Sequence, residues 1–500
     1  MDIFSYFVSA LQDICTPTGI LYVIGGTMAG IVLGAIPGLG GSTLMLVLLP
    51  LSYKMDLVMA MALFISIEVG GISGGYIGSI LLGIPGTTSS LCTVWDGYEF
   101  TKRGDPVRPL SVAATCNFIG TVPSIILAIA TCKVIAAWAV KLGPWEYAAM
   151  CFCAITTVVG LSKGNMARSM VSAGLGLILA SVGSDPMNGV ARLTFGNRYL
   201  LGGMSIVNLM LGMFAAKIIL FEYAKQSKTD TASKVKVKGY KFPGRDLLNN
   251  LGNVIRSWIT GAVIGFLPGL GGPIASVVAY SNEKTIAKRP EFGHGDIGGV
   301  IACETANNAS IGGALIPMIA LGIPGDAAMV QFMAAMSIQG VNAGPLLMRM
   351  NPDIVYMIFT AGILAGIIAL LYETAGMRTL PAILKIPYHY LYSLVIILAF
   401  TGAAMATGNV YGLLVTLFGC VLGIVMDVLR LPSLPFLMAY ILAPMLEKNL
   451  RQGLNYSKNG IAEFFTRPLS CAFIIIGLCL LVWPIAGPHI KKLFGKKAVK

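Results

Sequence analysis

Two isolated acids, Glu68 and Glu304, stand in long uncharged apolar stretches. Inside a membrane span such a group costs at least about 2.5–3.5 kcal/mol on insertion scales, which makes it a functional candidate. It could bind a coupling ion or carry a proton; the competing reading is a carboxylate bonded to backbone at a helix break. Beside these acids lie four glycine-rich breaks. Pro37-Gly38-Leu39-Gly40-Gly41 precedes Ser42-Thr43, and Pro268-Gly269-Leu270-Gly271-Gly272 is its counterpart. Gly83-Ile84-Pro85-Gly86 precedes Thr87-Thr88-Ser89, and Gly322-Ile323-Pro324-Gly325 precedes Asp326. Unwound backbone in a bilayer is tolerated only where protein or a wet cavity covers its polar groups. Each break therefore predicts a cavity lining, with glycines that let a ligand approach the backbone. Ser42-Thr43 suits the N-cap of a following half-helix. The free amides and positive dipole end of such a helix would hold an anion. Unwound carbonyls, with Asn307, Asn308 and Ser310, offer hard oxygens for a cation such as Na⁺. The first half has Gly70-Gly71-Ile72-Ser73 at the matching place, so this cation site is expected to be asymmetric.

The elements that must carry these residues follow from composition. The chain has 500 residues, 56% apolar and only 11% charged, against about 25% charged in ordinary globular chains. Its mean hydropathy is +0.79, and Gly is 60 of 500, as suits helices packed closely in a bilayer. This excludes a disordered or collagen-like chain, a soluble nucleic-acid binder and a disulfide-stapled secreted domain. The fold class is an all-α polytopic membrane protein of about 10–12 transmembrane helices plus re-entrant half-helices, since a span needs about 20 apolar residues. Spans are expected near 20–36, 57–83, 109–140, 145–160, 166–183 and 203–223, then 250–267, 297–322, 353–373, 388–406, 409–426 and 468–486. Segments 42–52, 87–101, 326–341 and 432–446 read as half-helices or re-entrant pieces. The N-terminus lacks a basic region of the signal-peptide kind, so the first span is expected to be retained.

The paired breaks and the two acids recur in the same order at offsets of 231, 236 and 239 residues. Asp185 and Asp427 are a possible later pair. The predicted organisation is a first membrane repeat over 1–224, a basic linker over 225–246, a second repeat over 247–490 and a basic tail over 491–500. Two halves with broken helices form the pattern of a secondary transporter, and inversion is favoured. The charge of +13 is concentrated in the linker and tail. Basic segments of this kind lie on the cytoplasmic side; the linker is placed there, and the side of the tail stays open. They lack the interleaved aromatics of a nucleic-acid patch, so no nucleic acid is expected as a partner.

Enzyme signatures are missing from the sequence. His294, His389 and His489 lie far apart, Cys151 and Cys153 are not a CxxC pair, and there is no P-loop. Gly38-Leu39-Gly40 only partly matches a dinucleotide fingerprint. No cofactor or metal centre is expected beyond Na⁺ as coupling ion. Two alternatives are an ion or solute channel built on the same broken helices and an intramembrane hydrolase pairing Glu68 with Glu304.

The two Pro-Gly-Leu-Gly-Gly breaks, Glu304-Thr305-Ala306-Asn307-Asn308 and the two Gly-Ile-Pro-Gly turns resemble the large membrane subunit of tripartite tricarboxylate transporters, the TctA family. So do Gly183-Ser184-Asp185-Pro186 and Arg192-Leu193-Thr194-Phe195-Gly196. One departure is Gly272-Pro273-Ile274, where the first half has the hydroxyl pair of Gly41-Ser42-Thr43. The resemblance implies the translocating subunit of a bacterial inner-membrane uptake system for citrate or a related organic carboxylate. It implies a periplasmic solute-binding protein and a small four-helix-type membrane subunit as partners, and an ion gradient, usually Na⁺, as the driving force. The substrate and ion site would then draw on Gly38, Gly40, Gly41, Ser42, Thr43, Gly86, Thr87, Thr88, Ser89, Gly269, Gly271, Gly272, Asn307, Asn308, Ser310, Gly325 and Asp326. Glu68 and Glu304 would be the coupling-ion candidates. An elevator-like movement would carry 20–101 and 253–341 against the remaining spans.

Overall fold

The computed structural model describes residues 3–36, 40–161, 166–185, 187–217, 237–384 and 410–495, with positions 220, 397, 400, 401, 403 and 404. Gly38, linker residues 225–236, tail residues 496–500 and most of the expected span at 388–406 lie outside them. The chain is an all-α polytopic membrane protein. The first half contains α1 (Ile3–Ile14), α2 (Pro17–Ala35), α3 (Gly40–Leu48), α4 (Leu57–Leu82), α5 (Leu91–Lys102), α6 (Val107–Ala139), α7 (Pro144–Leu161), α8 (Met166–Ala180) and α9 (Ile206–Met210). The second contains α10 (Leu251–Phe266), α11 (Gly271–Ala287), α12 (Ile297–Leu321), α13 (Ala327–Ile338), α14 (Pro352–Ala375), α15 (Tyr411–Val428), α16 (Ser433–Tyr456) and α17 (Pro468–Gly495). Among the described residues, α2, α4, α6, α14 and α15 are long and apolar enough to cross a bilayer. A sixth candidate is bent by 93° between Gly460–Thr466 and Pro468–Val482. The β-structure described is one two-residue antiparallel pairing, Gly183–Ser184 with Ala191–Arg192.

Local sequence explains the element ends. Thr16 caps α2, its hydroxyl accepting from the Gly19 amide at 3.1 Å, with Pro17 in the first turn. Asp56 caps α4 and Asp296 caps α12. Both long helices stop at a glycine in the left-handed region, Gly83 (φ 69°) and Gly322 (φ 72°), which avoids the Cβ clash another residue would meet there. Residues 297–321 of α12 are all buried, so this helix lacks the solvated face of a surface helix.

Glycine allows the central helices to touch backbone to backbone. A Cβ at Gly34 would collide with Gly71 on α4, and one at Gly265 with Ser310 on α12. These contacts also fix directions. On α2, Gly26 faces Leu63 and Gly34 faces Gly71, so α2 and α4 run the same way. Gly41 at the start of α3 also packs on Ile67 and Gly71. The chain must therefore turn back along α3 to reach Asp56. In the second half Gly261 faces Ala306 and Gly265 faces Ser310, so α10 and α12 run together. Ser276 on α11 reaches the Cys303 carbonyl, and Tyr280 lies at Gly299, so α11 runs back along α12.

Ser73 on α4 donates to Asn308 on α12 at 3.2 Å, while Tyr76 sits beside Glu304. These two central helices are thus antiparallel. Asn117 and Ser124 on α6 bond Asn308 and the Gly312 amide, placing α6 parallel to α12. Gly362 on α14 lies at Ile65 and Glu373 at Tyr76, placing α14 parallel to α4. Asp96 on α5 anchors the halves to each other. Its Oδ1 accepts from the amides of Gly293, Gly295 and Asp296, and its Oδ2 from Tyr280 at 3.0 Å.

Two sequence expectations change. Segment 432–446 is no half-helix but the larger part of the continuous α16, because the helix runs through Pro444 to Tyr456. Helix α3 begins at Gly40, so Ser42 and Thr43 lie in its first turn and are not its N-cap. Asp185 and Asp427 serve separate contacts: Asp427 pairs with Lys217 at 2.9 Å, whereas Asp185 pairs with Arg192 and with Arg451 at 2.8 Å. Glu447 closes the latter cluster, 2.8 Å from Arg192.

Asp185 lies in the loop after α8. The Arg451 hydrogen bond, then the Met187 amide and Arg192, hold its carboxyl below the ordinary carboxylate range. A depressed folded-state value contributes stability that is complete above the unfolded value, about 3.9, and lost as pH falls. Wild-type thermal stability is expected to decline as pH drops through about 4. In Asp185→Asn that part of the decline should be missing and the neutral-pH melting temperature lower, as read by differential scanning fluorimetry in detergent. Equal pH profiles for the two proteins would refute this role.

Candidate functional site

The four breaks meet beside the middle of α4 and α12. In the first half, the Gly86 amide donates to the Gly75 carbonyl at 3.3 Å, folding the turn after α4 back along that helix. In the second, the Gly269 amide donates to the Gly325 carbonyl at 2.7 Å, tying the α10–α11 break to the turn after α12. Five of the described break glycines have positive φ: Gly40 (72°), Gly83 (69°), Gly269 (77°), Gly271 (54°) and Gly322 (72°).

The tips then cross between halves. The turn Thr87–Ser90 is held by its own hydroxyls, Thr87 with Ser89 at 3.0 Å and Ser90 capping the Thr87 amide at 3.2 Å. Ser89, from the first half, sits against Gly272 in the second; a Cβ built on Gly272 would come within 3.3 Å of Ser89 Cβ and 3.4 Å of Ser310 Oγ, and would collide with Asn307 Oδ1. Thr87 packs near Gly40. Asp326 packs on Gly271, caps α13 by accepting from the Met329 amide at 3.0 Å, and is an electrostatic neighbour of Glu68.

Asn307 is the distinctive group here. It is fully buried, and neither its amide nitrogen nor its amide oxygen has a protein partner. Leaving a buried polar atom unpaired costs about 1–3 kcal/mol. No side chain caps α11, and Pro273 in its first turn has no N–H. The open amide thus lies beside an uncapped helix start, which favours negative charge.

The neighbouring Asn308 behaves differently. Its nitrogen donates to Asn117 Oδ1 at 2.7 Å and to the Glu304 carbonyl at 3.1 Å, and its oxygen accepts from Ser73 and Thr121, each at 3.2 Å. All four positions of the amide are used, so it braces α4, α6 and α12. Glu304 accepts a short hydrogen bond from Thr93 on α5 through Oε1, while Oε2 is buried without a partner. Glu304 therefore does not pair with Glu68. Among the remaining expected residues, Thr88 is exposed, Gly41 packs against Ile67 and Gly71 of α4, and Ser310 bonds the Asn307 carbonyl at 2.7 Å.

Sequence reading missed Glu373, Tyr76, Asn117 and Thr93. Glu373 is fully buried at the end of α14, with both oxygens lacking a hydrogen bond. Its only sequence signal is position within an apolar span, three residues short of Gly376. Among the described residues no ion pair reaches Glu68, Glu304, Asp326 or Glu373. A cleft of about 830 Å³ lies at the Gly322 end of α12; Tyr147, Asn342, Lys448, Asn449 and Gln452 are among the residues that line it.

A family model described as the Tripartite tricarboxylate transporter TctA family matches residues 20–438. The chain belongs to this family. It is a transporter-subunit family and not an enzyme family. Two proteins of Agrobacterium vitis are also similar. One is described as "Uncharacterized 52.8 kDa protein in TAR-I ttuC' 3'region"; it is 29% identical over 96% of each chain. The other, "Uncharacterized protein in TAR-II ttuC' 3'region", is 30% identical over 44% of this chain and 92% of its own. No solved structure matches this TctA-family chain.

For this TctA protein the Gly272 contact gives a sharp test. Gly272→Ala places a methyl group where Asn307 Oδ1 and Ser89 stand, and is expected to lower uptake in reconstituted vesicles by about tenfold or more. Gly174→Ala, on α8 and facing open space, should leave uptake unchanged. Equal activities of the two variants would remove the crossing from the transport site.

Proposed function

We propose that the chain is the translocating subunit of a binding-protein-dependent secondary transporter that imports citrate or a related di- or tricarboxylate on a Na⁺ gradient. The observation that carries this is Asn307, a buried amide with both atoms open, facing an uncapped helix start across from Ser89. In this reading the α11 amides and Asn307 Nδ2 hold a substrate carboxylate, with the Ser89 and Thr87 hydroxyls on its other side. Glu68 and Asp326, one acid from each half, are neighbours without a basic partner among the described residues, which suits a coupling cation.

The antiparallel run of α4 and α12, each with a reversed hairpin before it and a folded-back tip after it, supports an inverted repeat. The end where Arg108 meets Asp246 at 2.7 Å and Arg378 reaches the Lys238 carbonyl carries the basic linker, and is read as cytoplasmic. The opposite end, with the 830 Å³ cleft beside Gly322, is then periplasmic, in a bacterial inner membrane. That cleft is where a periplasmic binding protein would hand over its carboxylate, with Lys448 as its attracting charge. A small membrane subunit completes the complex, and the crossed tips move as a body against the remaining helices.

The test is uptake of labelled citrate and a panel of di- and tricarboxylates by cells expressing this chain with its cognate binding protein and small subunit, in Na⁺ or in choline. Accumulation against a gradient is expected only with Na⁺ and all three proteins. Asn307→Ala should lower uptake by about tenfold or more while the protein stays folded in the membrane. Downhill flux without accumulation would replace this reading with the channel built on the same helices.

A further inference from the structure

A second group of buried oxygens lies away from the crossing, nearer the end of the molecule that carries the basic linker. Glu373 on α14 has both carboxyl oxygens buried and unbonded, and Tyr76 on α4 has a buried hydroxyl without a partner. The Tyr76 hydroxyl and the Asn117 side chain on α6 stand beside the Glu373 carboxyl, outside hydrogen-bond geometry. Glu304 on α12 is the next charge, its Oε2 also unpartnered. Three helices thus each bring oxygens with nothing to bind to the same place, beside Asn117 on α6, whose Oδ1 already accepts from Asn308.

Structural packing does not account for this arrangement. An unpaired buried carboxylate costs far more than a hydrogen bond returns, and among the described residues no Lys, Arg or His pairs with either acid. Hard oxygen donors without soft ligands are the set that suits a small hard cation. Glu373 and Tyr76 are set apart from the substrate crossing, because they lie at the level of Glu304, about one turn of α12 before Asn307. Helix α14 lies among the spans assigned to the static part of the molecule, while Tyr76 and Glu304 belong to the part that carries the breaks. A cation held between them would tie the two parts together.

We propose that Glu373, with Tyr76 and Glu304 Oε2, forms a second Na⁺ site that links α14 to the helices carrying the breaks. This rests on the Na⁺-coupled reading above and adds a site distinct from Glu68 and Asp326. The test is equilibrium binding of radiolabelled Na⁺ to the purified full chain in nanodiscs, with choline balancing ionic strength. Wild type, Glu373→Gln, Tyr76→Phe and Glu68→Gln are compared.

Glu373→Gln is expected to remove one bound Na⁺ or weaken it by about tenfold or more, with Tyr76→Phe weakening it in the same direction. Glu68→Gln should leave this second ion in place. If Glu373→Gln and Tyr76→Phe bind Na⁺ as wild type does, the second site is refuted while the Na⁺-coupled function stands. If wild type binds no Na⁺, both fall. Tyr76→Phe removes a single hydroxyl from a folded core, so it decides the matter even where Glu373→Gln fails to fold.

Discussion

Backbone amides and carbonyls that leave a helix inside a bilayer must find partners within the protein, and this requirement organises the molecule. Each half breaks twice. At the turns after α4 and α12 the freed backbone is bonded back to its own half, Gly86 to Gly75 and Gly325 to Gly269. The start of α11, just after Gly269, has no side-chain cap, and beside it the buried Asn307 lacks a partner. A fold that ties these turns back and leaves Asn307 open beside an uncapped helix start, in a place lined by side chains from both halves, has reserved polar capacity for something outside the chain. The glycine contacts between α2 and α4 and between α10 and α12 follow from the same requirement, because only backbone-to-backbone packing brings the broken ends close enough to share partners.

The breaks were legible because their cause is local. Proline removes a donor and glycine permits positive φ, so the punctuation is written in adjacent residues. The half-helices at 87–101 and 326–341 and the long spans around Glu68 and Glu304 followed from it. What neighbours decide was not legible. Asn307 and Asn308 look equivalent in sequence, yet successive residues on a helix point about 100° apart. One faces α6 and is saturated by Asn117, Ser73 and Thr121; the other faces the crossing and is open. Glu373 read as an acid near a span end, where such residues usually meet water. Its burial comes from Tyr76 and Asn117, residues nearly 300 and more than 250 positions away in the chain. Continuity of α16 through Pro444 was also hidden, since proline in a membrane helix breaks it or not according to what satisfies the freed carbonyl.

The two halves match in path and differ in chemistry. Both send a long helix past a hairpin and fold a tip back towards the middle. The first tip ends in the hydroxyls of Thr87, Ser89 and Ser90, the second in the carboxylate of Asp326. The first break has Ser42 and Thr43 inside the opening turn of α3; the second has Gly272 and Pro273, which leave the start of α11 bare. An anion and a cation cannot be held by the same groups, so a symmetric pair of tips would serve one and repel the other. Here Asp326 packs on Gly271 at the bare start of α11 with Glu68 as its electrostatic neighbour, while Ser89 faces the next residue, Gly272. Opposite charges can then be held within reach of each other, each lowering the cost of burying its partner. In the proposed Na⁺-driven uptake, coupling of ion and carboxylate would need no further device than this: binding of one makes the field around the other favourable, and the reciprocal gain follows by linkage.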